Sequence, residues 1–137
     1  MFHPLTQMKQ DNRKIIEALY QAFAERYTSA IMGLVSPDVV ITQSPALPWG
    51  GHYSGYFGVQ KFFAALLGHV DSKVEIERML DAGDHVVAIG RTKGTVCASG
   101  KAFDVPIAHV WRIQNGRVTA FNPFIDNRLM LEALKTS

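Results

Sequence analysis

The chain has 137 residues, 47% hydrophobic and 19% charged, with 14 Lys and Arg against 12 Asp and Glu for a formal charge of +2. That length suits one domain able to bury a core without a disulfide or a metal, and the composition excludes a disordered chain. The basic residues are scattered rather than clustered, which argues against a nucleic-acid partner, and the lone Cys97 excludes an internal disulfide or a thiolate metal cage.

Residues 8–27 read as an amphipathic helix. Ile15, Leu19, Phe23 and Tyr27 recur every four residues with Ile16 and Tyr20 beside them, and Arg13, Lys14, Glu17, Gln21 and Glu25 form the polar side. A short second helix is expected over 29–35, stopped by Pro37, which disfavours helical geometry at Ser36. Val39 to Thr42 is β-branched and bounded by prolines, so it reads as a strand. Residues 44–55, rich in Pro and Gly, read as a loop. A third helix follows over 56–67, with Val59, Phe62, Phe63, Leu66 and Leu67 at helical spacing and Gly68 at its end.

The periodicity then changes to two. Residues 73–80 alternate, Asp81 to Asp84 turn the chain, and 85–96 read as a strand in which Gly90 and Gly94 mark bulges or bends. Residues 102–113 form a long strand, Asn115-Gly116 is a hairpin signal, and 117–124 pair back. A last helix is expected over 127–134. Strands joined by such short turns must run antiparallel, and helices grouped ahead of the sheet indicate an α+β fold.

On the strand 102–113, Phe103, Val105, Ile107, His109, Trp111 and Ile113 share one face, while Pro106, Ala108 and Val110 share the other. Both faces are substantially apolar and both should be covered, one by the helices and the other by a second copy of the chain, which predicts a homodimer through the sheet.

His109 is the residue most in need of an explanation. An imidazole on a bulky apolar face requires partners for its ring nitrogens. It is either a satisfied core histidine or a pocket histidine that donates hydrogen bonds or acts as general acid/base. Asp126 ends the apolar run Phe121 to Ile125; it is either a desolvated carboxylate suited to catalysis or the N-cap of the last helix. The loop from Pro48 to Phe57 sets Trp49, Tyr53, Tyr56 and Phe57 among glycines, as a wall for a planar ligand or as a loop pinned to the core.

The five histidines lack metal-ligand spacing, so no metal is expected. Phosphate-loop and nucleophile-elbow motifs are absent, and no organic cofactor is expected. No apolar stretch approaches the ~20 residues of a membrane helix, and Met1 to Leu5 lacks the basic-then-apolar pattern of a signal peptide. The expectation is a cytoplasmic protein without a membrane partner.

Taken together, Ala18 to Phe23, Gly51 to Gly55 ahead of Val59 to Phe63, His109 to Ile113 ahead of Asn115 to Val118, and Phe121 to Asp126 give the chain a family likeness. Over roughly residues 10–135 it resembles the nuclear transport factor 2-like superfamily, and within it the SnoaL-like and ketosteroid isomerase-related proteins. The resemblance implies a single SnoaL-like domain with a cystatin-like cone, a bent sheet wrapped on helices around a deep pocket, dimeric through the sheet. It places Gln43 where steroid isomerases of this fold carry an aspartate base, which argues against steroid isomerisation because an amide cannot act as a carboxylate. It places His109 where those enzymes carry a protonated aspartate, and Leu19 or Tyr20 near their tyrosine. SnoaL-type cyclases use an aspartate at the end of the last strand, the place of Asp126.

The resulting expectation is a protein that binds a small apolar, polycyclic or carbonyl-containing ligand. His109 and Asp126 are its candidate acid/base pair for a cofactor-free isomerase, cyclase or dehydratase. Tyr20, Gln43, Trp49, Tyr53, Phe57, Trp111 and Phe124 are the candidate ligand contacts. The alternative is a non-catalytic small-molecule-binding domain.

Overall fold

The computed structural model describes the backbone of residues 4–135 and the side chains of residues 11–135; His3 lies outside them. In chain order the elements are α1 (Pro4–Ala24), α2 (Thr28–Leu34), β1 (Val35–Gln43), β2 (Gly51–Ser54), α3 (Gly55–His69), β3 (Val70–Ala82), β4 (His85–Val96), β5 (Ala102–Gln114), β6 (Arg117–Ile125) and α4 (Asn127–Leu134). The sheet is α+β in context: six strands in the order β2-β1-β6-β5-β4-β3, curved and not closed into a barrel, with the three N-terminal helices and α4 around it.

Strands β3 to β6 form an antiparallel meander, as their short connections require. The β5–β6 turn is the expected one. Asn115 and Gly116 both have positive φ, 52° and 76°, between the paired residues Gln114 and Arg117, the backbone that Asn-Gly favours.

Three features depart from the sequence reading. The loop 44–55 ends in a four-residue edge strand, β2, paired antiparallel with β1; at four residues it is too short to stand out from the surrounding loop in the sequence. In addition, β1 runs parallel to β6, so the sheet is not wholly antiparallel. The second helix also stops earlier than expected, at Leu34. Pro37 falls instead inside β1, in the stretch between Val35 and Val40 where the pairing with β6 breaks register. Proline has no N–H to donate, and an irregular stretch is where a strand tolerates it.

The curvature originates in β3 and β4. The β3–β4 register shifts between Ile76 and Arg78, next to Gly90, which pairs with Ile76. A bulge of this kind bends a strand and increases its twist. A Cβ on Gly90 would overlap the carbonyl of Glu75, and one on Gly94 would overlap that of Asp71, so only glycine permits the two strands to approach there.

The bent sheet turns Phe103, Val105, Ile107, His109, Trp111 and Ile113 of β5 inward, and all six are buried. Leu19 and Phe23 of α1, Ile31 of α2, Phe62 of α3 and Met130 of α4 cover them. On the outer face Val87, Ile89, Ala108 and Val110 are only half-buried. Among the described residues no helix is long and apolar enough to cross a membrane.

Candidate functional site

A cavity of about 70 Å³ lies between the inner face of the sheet and the helices. A single water needs roughly 10–15 Å³, so the space suits a small organic guest. None of its nineteen lining residues carries a charged side chain; the polar ones are Tyr20, Gln43, Ser72, Thr92 and His109, with the indole nitrogens of Trp49 and Trp111. An apolar recess with a few placed polar groups is the usual make-up of a small-molecule site.

His109 reaches the cavity because β5 alternates and an odd-numbered position points inward. It is 7% exposed. Its Nδ1 lies 2.7 Å from the hydroxyl of Tyr20, which lies within α1, and the hydroxyl also accepts from Trp111 Nε1 at 3.0 Å. Trp111 is on the same inward face two residues along β5, and its ring meets Tyr20 edge-on.

The proton positions follow from accounting. Trp111 can only donate, and the Tyr20 hydroxyl has one proton to give. If Nδ1 carried a proton aimed at Tyr20, the hydroxyl proton would have no acceptor among the described residues. Tyr20 therefore donates to Nδ1, and the neutral imidazole carries its proton on Nε2. Nε2 has no partner among the described residues and is not a closed-off atom, so it opens on the cavity.

Electrostatics agree. Burial lowers the His109 pKa to about 3, so the ring is neutral at physiological pH. Burial also raises the Tyr20 pKa, opposed by the Trp111 hydrogen bond, so the phenol keeps its proton. The chain Trp111–Tyr20–His109 thus presents one fixed donor, Nε2–H, inside an apolar chamber. The His109 ring is braced edge-on by Phe121, centroids 5.2 Å apart, and Phe121 stacks on Trp111.

Gln43, at the end of β1, is 4% exposed. Its Nε2 donates to the carbonyl of Pro123 at 2.9 Å, and Pro123 pairs with His109 across β5 and β6. The amide oxygen of Gln43 has no partner among the described residues, leaving an acceptor on the same lateral row as the His109 donor.

Tyr20, Gln43, Trp49, His109 and Trp111 therefore meet at one cavity. Tyr53, Phe57, Phe124 and Asp126 do not line it. The Tyr53 hydroxyl donates to the carbonyl of Trp49 at 3.1 Å, holding the 44–55 loop. Phe57 is 70% exposed and lies under the Lys61 ammonium. Phe124 points outward from β6 into a separate recess that also contains His52 and Asn127. Asp126 is the N-cap of α4; its Oδ1 accepts from Leu129 N at 3.0 Å, and no hydrogen bond joins it to His109.

Sequence reasoning did not single out Ser72, Thr92, Phe62, Phe121 or Pro123 as cavity residues. The alternation read over residues 73–80 stops short of Ser72, and no local signal tells which helix faces each strand position. Among the described residues no three His, Cys, Asp or Glu side chains converge as a metal site would require.

The fold has many solved counterparts. An NTF2-like protein from Burkholderia thailandensis is 29% identical, with 90% of this chain and 97% of that one covered at a TM-score of 0.83. An NTF2-like protein of unknown function from Burkholderia pseudomallei is 24% identical, covering 91% and 98% at 0.86. A protein described as a SnoaL-like polyketide cyclase from Jannaschia sp. is 18% identical, covering 100% and 98% at 0.85. No functionally curated protein matches the chain. The SnoaL-like domain model matches residues 16–121, most of the chain and all of the cavity's β3–β5 wall, and on that match the chain belongs to the SnoaL-like domain family.

Proposed function

We propose that this protein binds a small, uncharged, apolar molecule bearing a carbonyl or similar acceptor, which His109 Nε2–H engages inside the cavity. The single observation that carries the reading is the Trp111–Tyr20–His109 chain, which occupies the side-chain donors of Trp111 and Tyr20 and leaves the His109 Nε2–H for a guest. The lack of charge in the lining disfavours phosphates, carboxylates and ammonium compounds, whose desolvation nothing there would offset.

Titration of acetophenone and of ethylbenzene, matched in shape but lacking the acceptor, tests it. The ketone should bind at least tenfold more tightly, and a His109→Phe variant that remains folded should abolish the difference. Equal binding of the two compounds to the wild type would end the proposal.

A second reading, a cofactor-free isomerase, cyclase or dehydratase, draws on the same donor. A fixed N–H in a water-poor chamber stabilises an oxyanion developing on a carbonyl, and one structural neighbour is described as a polyketide cyclase. His109 is a poor base, since its pKa is about 3, and neither Gln43 nor the capping Asp126 supplies a carboxylate in the cavity. Polarisation without an internal base favours binding over turnover. Following α-proton exchange of acetophenone in D₂O by NMR separates the two: exchange faster than in buffer, and lost in His109→Phe, would establish catalysis.

We also propose that two copies pair through the outer sheet face, where Val87, Ile89, Ala108 and Val110 are otherwise left half-exposed. The lone Cys97 is unpaired and exposed, which suits a reducing compartment such as the cytoplasm.

A further inference from the structure

Two hydroxyls in the cavity wall have no structural task. Ser72 on β3 is 3% exposed and Thr92 on β4 is 8% exposed; both line the cavity. Neither side-chain oxygen has a hydrogen-bond partner among the described residues, and neither is a closed-off atom. They sit inside regular strands, where no cap or turn calls for a hydroxyl. Alanine and valine would fill the same positions, whereas a buried hydroxyl without a partner is destabilising.

Their placement is paired and remote from His109. Thr92 opposes Val74, and Ser72 opposes Gly94, so the two hydroxyl residues are diagonal neighbours on the inner face, close enough to reach one group. His109 pairs with Ala88, four residues before Thr92 on β4, which is roughly 13 Å of strand. Val74 and the buried Val70 flank the pair in an apolar wall.

We infer that Ser72 and Thr92 form a second polar anchor, so that the ligand carries two hydrogen-bonding groups at opposite ends of an apolar body. Resting on the reading of His109 as the carbonyl donor, this narrows the ligand to an uncharged compound of about one ring with a carbonyl at one end and a hydroxyl at the other. A ligand hydroxyl both donates and accepts, which a pair of side-chain hydroxyls matches. No cation lines the cavity to hold a carboxylate there.

Calorimetric titration with acetophenone and with 4-hydroxyacetophenone tests the anchor in the wild type, in the double variant Ser72→Ala/Thr92→Val, and in Thr92→Ser. The wild type should prefer 4-hydroxyacetophenone at least tenfold. The double variant should lose that preference to within threefold, and Thr92→Ser, which retains a hydroxyl, should keep it. Equal binding of both ketones by the wild type, or a preference that survives in the double variant, overturns the anchor and leaves the His109 reading standing. Failure of the wild type to bind either ketone overturns both. Thr92→Val is isosteric and Ser72→Ala is smaller, and a Thr92→Ser protein that folds but loses the preference also counts against the anchor.

Discussion

Tyr20 gives its hydroxyl proton to Nδ1 of His109 across 2.7 Å, and that bond decides which edge of the imidazole faces the guest. With Nδ1 occupied as an acceptor, the ring proton must sit on Nε2. Tyr20 is in this sense a positioning residue, and Trp111, donating to the same oxygen at 3.0 Å, fixes its hydroxyl in turn.

Replacing Tyr20 with Phe removes the acceptor of Trp111 Nε1 and the donor to His109 Nδ1 together. Each buried polar group left unpaired costs about 1–3 kcal/mol, so with two such groups the variant should be less stable by about 2–6 kcal/mol. The urea midpoint should fall with an unchanged slope. Nitrogen-15 NMR should show a single Nε2–H tautomer in the wild type and a mixture in Tyr20→Phe. A variant with an unaltered midpoint and tautomer would remove the relay from the account.

The depressed His109 pKa makes stability depend on pH. In the native state it is about 3, against roughly 6.5 for a free imidazole. Between those values the unfolded chain takes up a proton that the native chain refuses. The contribution is therefore complete above about pH 6.5 and is lost as the pH falls towards 3, at about 1.4 kcal/mol per pH unit. His109→Gln cannot titrate. The stability difference between wild type and His109→Gln should shrink by about 3 kcal/mol from pH 7 to pH 4, measured by urea unfolding at each pH. Parallel pH profiles for the two proteins would show the imidazole to be solvated.

Asp126 holds the first turn of α4 through Leu129 N. Asp126→Ala should lower stability by about 1 kcal/mol, typical of a lost N-cap, and Asp126→Asn, a good cap itself, should restore most of it. Acetophenone affinity should stay within twofold in both. A tenfold loss of affinity in Asp126→Asn would place the carboxylate at the guest instead of at the helix end.

The outer face can be tested with a single charge. Val110→Glu puts a carboxylate in the middle of the half-buried apolar strip on β4 and β5, where pairing would desolvate it. Sedimentation velocity should show a dimer for the wild type and a dissociation constant at least a hundredfold weaker for the variant, about 2.7 kcal/mol. A wild type that sediments as a monomer at tens of micromolar would dismiss pairing through this face.

Local patterns made much of the architecture readable in the chain itself. The period-two alternation of β5 assigned Phe103 to Ile113 to one face because neighbouring side chains in a strand must point to opposite sides. Asn115-Gly116 specified its hairpin because both central residues need positive φ. Gly90 and Gly94 foretold the bend because only a residue without a Cβ lets β3 and β4 approach there. The family likeness was equally legible, since it rests on residue types in order along the chain.

What the sequence left open was decided by pairings between distant segments. The parallel contact of β1 with β6 brings Gln43 beside Pro123, 80 residues away, and no local signal encodes it. The packing of α1 across the sheet joins Tyr20 to His109 and Trp111, about 90 residues distant, and turns an ambiguous histidine into a neutral donor. The same packing leaves Asp126 at a helix end, Phe57 and Phe124 in solvent, and Ser72 and Thr92 inside the chamber. Periodicity tells which way a side chain points; only the closed fold tells what stands opposite it, and the chemistry of a buried group depends on that neighbour.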